Sequence, residues 1–123
     1  MRFARNAFRF AGWYGLLVIG PMFFLEARIG RDLPPAINHP EYYYGFVSVT
    51  LAWQAAYLVI ARDPARFRPL MIPAMLEKGI FGLVSLVLFA QGRIGPAVLA
   101  GGLTDLLLGA LFAVAYRRTR DAA

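Results

Sequence analysis

The chain has 123 residues, 59% of them hydrophobic and 15% aromatic, with 13 basic against 7 acidic side chains and a formal charge of +6. That length makes one domain, and the hydrophobic share exceeds what a water-soluble core of this size uses. With no cysteine and a single histidine, His39, the composition excludes disulfides, thiol chemistry and histidine-rich metal sites, and no cofactor is expected.

Phe10 to Leu25 is the first apolar run, bounded by Arg9 and Glu26. At the helical rise it covers only about 24 Å of a hydrocarbon core of about 30 Å. The predicted span is therefore drawn from about 10 to 27, with Pro21 as a kink. A signal peptide would share the basic start and apolar middle, but no small-x-small cleavage site follows, so this segment is expected to stay in place. Pro34, Pro35 and Pro40 then break the chain, and Asn38-His39-Pro40-Glu41 reads as a helix start, with proline early and an acid in the first turn.

The second span, 42–61, carries no charge. Tyr43, Thr50, Gln54 and Tyr57 form a polar stripe along one face. Gly45, Ser48, Ala52 and Ala56 form a small-residue stripe beside it, suited to close helix packing. Asp63-Pro64 and Arg68-Pro69 punctuate the next connection. The third span, 70–91, is interrupted by Glu77 and Lys78. Pro73 sets its regular start near Ile72, which leaves the charged pair only about 8 to 9 Å deep.

Gly92 to Pro96 turns the chain into the fourth span, 95–116, whose one charge is Asp105. Ala97, Gly101, Asp105, Gly109 and Ala113 recur every four residues, so the acid lies on a face of small residues where another helix can approach. Starting near Pro96, Asp105 is about 14 Å deep, close to the midplane. Ionisable groups at that depth are functional candidates by default. The connections are short, so the predicted architecture is an all-α, four-transmembrane-helix, up-down-up-down bundle forming one integral membrane domain over 1–123.

The candidate ligand-binding polar layer comprises Asp105, Gln54, Glu77, Lys78, Thr50 and Tyr57. Each has a plainer alternative. The stripe residues could simply bond neighbouring helices, Glu77 could favour its helix dipole, and Lys78 could snorkel to cytoplasmic water. Asp105 could be a neutral carboxyl acting as packing glue. Helix side chains lean toward their own N-terminus, which carries Lys78 and Asp105 apart in antiparallel helices. A bridge through water or Gln54 is therefore expected in place of a direct pair. Glu26, Arg28, Arg31, Asp32, His39 and Glu41 read as a solvated rim.

Basic residues lie between the apolar runs and not along one face, so they report topology rather than nucleic-acid binding. Arg2, Arg5 and Arg9, then Arg62, Arg66 and Arg68, then Arg117, Arg118 and Arg120 make nine on one side, against Arg28, Arg31 and Arg93 on the other. Both termini are predicted to be cytoplasmic, which requires an even number of spans. Arg in place of Lys, with abundant Ala and Gly, fits a GC-rich bacterial genome.

Aromatic content and one strong acid in a polar layer point to a binding or accessory protein. It would hold a small apolar ligand (lipid, quinone or isoprenoid) or dock on a larger membrane complex; small-residue faces equally allow a homo-oligomer. Small proton-coupled multidrug exporters share the size, but they carry their membrane acid in the first span, where this chain has none. An intramembrane isomerase could use Asp105, Glu77 and Lys78 as acid and base, yet no catalytic motif selects it. Whether the protein is an enzyme stays open at this point, the balance leaning against it.

Gly12, Gly15, Gly20 and Pro21 in the first span, Tyr44-Gly45 opening the second, the Asp63-Pro64 turn, and Asp105 followed by Gly109 together resemble the small bacterial four-helix membrane proteins of the DoxX-like group. The resemblance runs diffusely over nearly the whole chain. It implies a cytoplasmic-membrane protein, some relatives being accessory subunits of quinone-linked or oxidative-stress assemblies. It assigns no functional residue, and the absence of cysteine argues against a direct redox role.

Overall fold

Charge ended the first apolar run but not its helix. In the computed structural model, which describes residues 1–121, α1 runs Arg2–Ile19, well before the predicted start. Arg2, Arg5 and Arg9 share its outer face while Ala4, Ala7, Phe8 and Ala11 are buried on the other, so the helix carries its basic residues without burying them. At its far end Pro21 offers no N–H to the carbonyl of Leu17. The chain continues as a 3₁₀ turn, Gly20–Phe24, and Glu26 belongs to a separate short helix, α2, Glu26–Asp32. The predicted span from 10 to 27 is thus displaced toward the N-terminus.

The other helices are α3, Pro40–Arg62; α4, Met71–Ala90, entered through a 3₁₀ turn at Arg68–Leu70; and α5, Pro96–Arg118. Pro40 and Pro96 occupy the first helical position, where the missing N–H has no intrahelical partner to lose. Gly92, with φ 71°, takes the left-handed conformation that ends the α4 segment and turns the chain toward α5. Four segments are long and apolar enough to cross a membrane: Arg2–Phe24, Pro40–Arg62, Arg68–Ala90 and Pro96–Arg118. Their outward faces expose Leu17, Leu76, Ile80, Leu83 and Leu107, a surface suited to lipid. The fold is an all-α four-helix bundle.

Glycine decides which helices pair. On α1, a Cβ at Gly12 would lie 2.6 Å from Leu58 Cδ2, and one at Gly15 would collide with the Gln54 amide. On α5, a Cβ at Gly102 would collide with Ser85, and on α4 one at Gly82 would collide with Leu106. Each pair runs antiparallel, since Gly12 meets Leu58 while Met22 meets Tyr43, and Gly109 meets Lys78 while Gly102 meets Ser85. The small stripe predicted on α3 does not do this work: Gly45, Ser48 and Ala52 are exposed, and a Cβ at Gly45 would touch nothing. The bundle is therefore two tight pairs, α1 with α3 and α4 with α5.

The pairs join at the end where the basic segments gather. There Phe8 stacks on Phe112 with centroids 4.1 Å apart, Tyr57 packs edge-on to Phe112 at 5.0 Å, and Ile60, Met71, Ala74, Leu108 and Ala115 complete a buried core. Arg68 closes this end. Its Nε and Nη2 donate to the Tyr116 carbonyl at 3.0 and 2.8 Å, Nε donates to Thr119 Oγ1 at 3.2 Å, and the guanidinium lies 3.7 Å from the Tyr116 ring centroid. A cation on the final carbonyls of α5 also suits the helix dipole.

Candidate functional site

Away from that core the two pairs diverge, and nothing bulky fills the space between them. A cavity of about 530 Å³ results, within the range of small-molecule sites. Tyr14, Gly15, Val18, Ile19 and Met22 of the α1 segment and Phe46, Val49, Thr50, Trp53 and Gln54 of α3 form one wall. Phe81 of α4 with Ala97, Val98, Gly101 and Thr104 of α5 form the other, and Leu33 lies at the rim. Glu77, Lys78 and Asp105 form the floor.

The floor is an ionic cluster. Lys78 Nζ is 3.5 Å from Asp105 Oδ1 and 3.7 Å from Glu77 Oε2, and the Lys78 side chain is only 6% exposed. Glu77 and Asp105 are 21% and 22% exposed. The Tyr57 hydroxyl donates to Glu77 Oε2, and Lys78 Nζ stands 5.4 Å from the Tyr57 ring centroid. Tyr57 therefore serves both regions: its ring belongs to the sealed core and its hydroxyl to the floor.

The direct contact of Lys78 with Asp105 corrects the sequence expectation of a bridge through water or Gln54. Lys78 does not follow the expected lean: its stem runs toward the C-terminal side of its own position on α4 to reach Asp105. Gly109 stands opposite the Lys78 stem, and a Cβ there would lie 3.4 Å from Lys78 Cβ. Asp105 is one helical turn away along α5, about 6 Å by the rise per residue. A four-carbon stem covers that distance, and Gly109 leaves it room to pass. Snorkelling is excluded by the burial of Lys78.

Gln54 sits elsewhere than between the charges. Its Nε2 donates to the Thr50 carbonyl at 2.8 Å, one turn back on α3, and its Oε1 is buried against Gly15 with no hydrogen-bond partner among the described residues. Thr50 contributes wall surface and that carbonyl. All six predicted polar-layer residues thus face the interior. Asp105, Glu77, Lys78, Gln54 and Thr50 line the cavity, and Tyr57 lies beneath its floor.

The small face around Asp105 divides in two. Gly109 packs on α4, whereas Ala97 and Gly101 face the cavity; the closest approach of α4 and α5 occurs one position over, at Gly102. The rim behaves as a rim: Arg28 pairs with Asp32 at 3.6 Å and His39 with Glu41 at 2.9 Å, all well exposed. Tyr44 donates to Glu26 at 3.0 Å and Tyr43 to the Met22 carbonyl, tying the N-terminal end of α3 to the α1 segment and α2.

Sequence reasoning passed over Met22, Phe46, Trp53 and Phe81 in the walls and Arg68 at the sealed end. The wall residues lie among equally apolar neighbours, and only the separation of the pairs marks them out. Comparisons with protein families, with characterised proteins and with solved structures give no significant match.

Proposed function

We propose that this chain is a multi-pass protein of the bacterial cytoplasmic membrane, with both termini cytoplasmic, that holds a small apolar ligand of the lipid, quinone or isoprenoid kind between its two helix pairs. One observation carries the reading: a cavity of about 530 Å³ whose walls are apolar and aromatic, with the charged cluster of Glu77, Lys78 and Asp105 at its base. An apolar body fits the walls, and a polar head meets the floor. α3 and α4 barely touch, so the cavity faces the surrounding lipid through the seam between the pairs, where Phe46, Val49 and Phe81 are 45%, 61% and 40% exposed. Toward the basic end Phe8, Tyr57 and Phe112 close it. A site stoppered toward the basic end favours holding or presenting a ligand over conducting one from end to end of the bundle.

Native mass spectrometry of gently extracted protein tests this reading. The wild type is expected to retain a lipid, quinone or isoprenoid, and Gly101→Phe, which fills the cavity where a Cβ meets open space, is expected to lose it. A wild-type protein that retains nothing and takes up no added isoprenoid overturns the proposal. The chain Tyr57–Glu77–Lys78–Asp105 also favours a second reading, an isomerase moving protons on a bound isoprenoid. Entry of solvent deuterium into a carbon position of that isoprenoid would select it.

A further inference from the structure

The floor carries more acceptors than donors, two carboxylates against one ammonium. Gln54 Nε2 is spent on the Thr50 carbonyl, Thr104 Oγ1 donates to the Ala100 carbonyl at 2.9 Å, and the Tyr57 hydroxyl donates to Glu77. The Lys78 ammonium is shared between two carboxylates. On the acceptor side, Lys78 is the one polar partner of the Asp105 carboxylate among the described residues, at Oδ1, which leaves Oδ2. Gln54 Oε1 is also unpartnered among the described residues, but it is packed against Gly15 and has no surface open to the cavity, so Asp105 is the acceptor a ligand can reach. Two carboxylates against one ammonium also leave one surplus negative charge when both are ionised. A carboxylate oxygen that faces an apolar cavity is poorly solvated, so a ligand that donates to Asp105 gains an interaction the walls do not supply.

Building on the ligand-holding reading, we propose that the cavity selects amphiphiles whose head donates hydrogen bonds, an alcohol, phenol or ammonium directed at Asp105, and discriminates against anionic and acceptor-only heads. The apolar tail then lies along Phe46, Trp53 and Phe81 toward the lipid seam. By this logic a quinone would be held in its reduced, hydroxyl-bearing form in preference to its oxidised form.

Trp53 lines the cavity, and the other tryptophan, Trp13, is 56% exposed and lies outside it, so Trp13→Phe leaves a single reporter in the site. In phosphatidylcholine nanodiscs this protein would be titrated with dodecanol, dodecylammonium, methyl dodecyl ether and laurate while Trp53 emission is followed. Dodecanol and dodecylammonium are expected to bind at least about tenfold more tightly than the ether, as loss of one hydrogen bond to a charged group implies, and laurate more weakly still. Asp105→Asn is expected to cut the advantage of the ammonium over the ether by about tenfold. The ligand series alters no floor residue, so it stands even where Asp105→Asn fails to fold. Equal binding of all four probes overturns donor selection while leaving the cavity as a ligand site. Tighter binding of laurate or the ether also overturns it. Silence from Trp53 with every probe overturns both proposals.

Discussion

The same four helices make a sealed half and an open half. At the basic end the gap between the helix pairs is filled by Phe8, Tyr57, Phe112, Ile60, Met71 and Leu108, each at most 2% exposed. At the other end the helices are as apolar, yet Phe46, Val49 and Phe81 leave about 530 Å³ between them. Mean apolarity therefore does not decide where a bundle in lipid closes. Lipid tails are as apolar as leucine, so the pairs join only where side chains interdigitate, and part where they do not. Within each pair the glycines at 12, 15, 82 and 102 bring backbones together over both halves. Between pairs, the aromatic stack does so in one half only.

The boundary between the halves should be the most sensitive place. Lys78→Met leaves Glu77 and Asp105 facing each other at the cavity floor without a cation, and breaking a buried ionic cluster at one partner costs about 3 to 5 kcal/mol. Unfolding in mixed detergent and dodecyl sulfate micelles is expected to show that loss. Most of it should return when Glu77→Gln and Asp105→Asn are added, since the uncompensated charges are then gone. A lysine variant as stable as the wild type would mean that the floor is solvated and the two halves are not separated there.

Next in size is the contrast between the halves themselves. Phe8→Ala removes the ring stacked 4.1 Å from Phe112 and is expected to cost about 3 kcal/mol or more, as large-to-small changes in close-packed cores do. Phe46→Ala removes an equal ring from the cavity wall, where it is 45% exposed, and should cost under about 1 kcal/mol in the same unfolding assay. Equal losses would break the comparison.

Adjacent glycines on α5 sharpen it further. Gly102→Ala drives a methyl group into Ser85, displacing its 2.7 Å hydrogen bond to the Gly82 carbonyl, for an expected loss of about 1 to 3 kcal/mol. Gly101→Ala places its methyl group in open space at the cavity wall and should leave stability within about 0.5 kcal/mol of wild type. Thermal denaturation of the two variants side by side tests whether α4 covers position 102 and leaves position 101 free.

The sequence made the four spans legible because each apolar run is bounded by arginine, proline or both, and it placed Asp105 on a small-residue face by spacing alone. It misjudged α1 because the charge-free run begins at Phe10, whereas helical burial begins at Ala4, on the face opposite the arginines. It set Lys78 apart from Asp105 because lean is a local rule, while the reach of a stem past Gly109 depends on the register of two helices distant in sequence. It assigned close packing to Gly45, Ser48 and Ala52, since small residues permit contact but do not choose the partner. The cavity has no local signal: it is the space left where two helix pairs, each locally specified, fail to meet.

The sealed half also depends on a closure that no span contains. Arg68 lies in the connection before α4, yet its guanidinium meets the last turn of α5 through the Tyr116 carbonyl, Thr119 and the Tyr116 ring. Arg68→Lys keeps the charge, and with it the favourable interaction with the helix C-terminus, but loses the paired N–H donors and the planar face over the ring. The expected cost is about 1 kcal/mol in the same unfolding assay. Because the clamp lies on the far side of the Phe8–Tyr57–Phe112 stack from the cavity, ligand retention at saturation should stay at its wild-type level. Loss of ligand in step with loss of stability would show that the two halves open together, and that the stack is a moving gate in place of a fixed stopper.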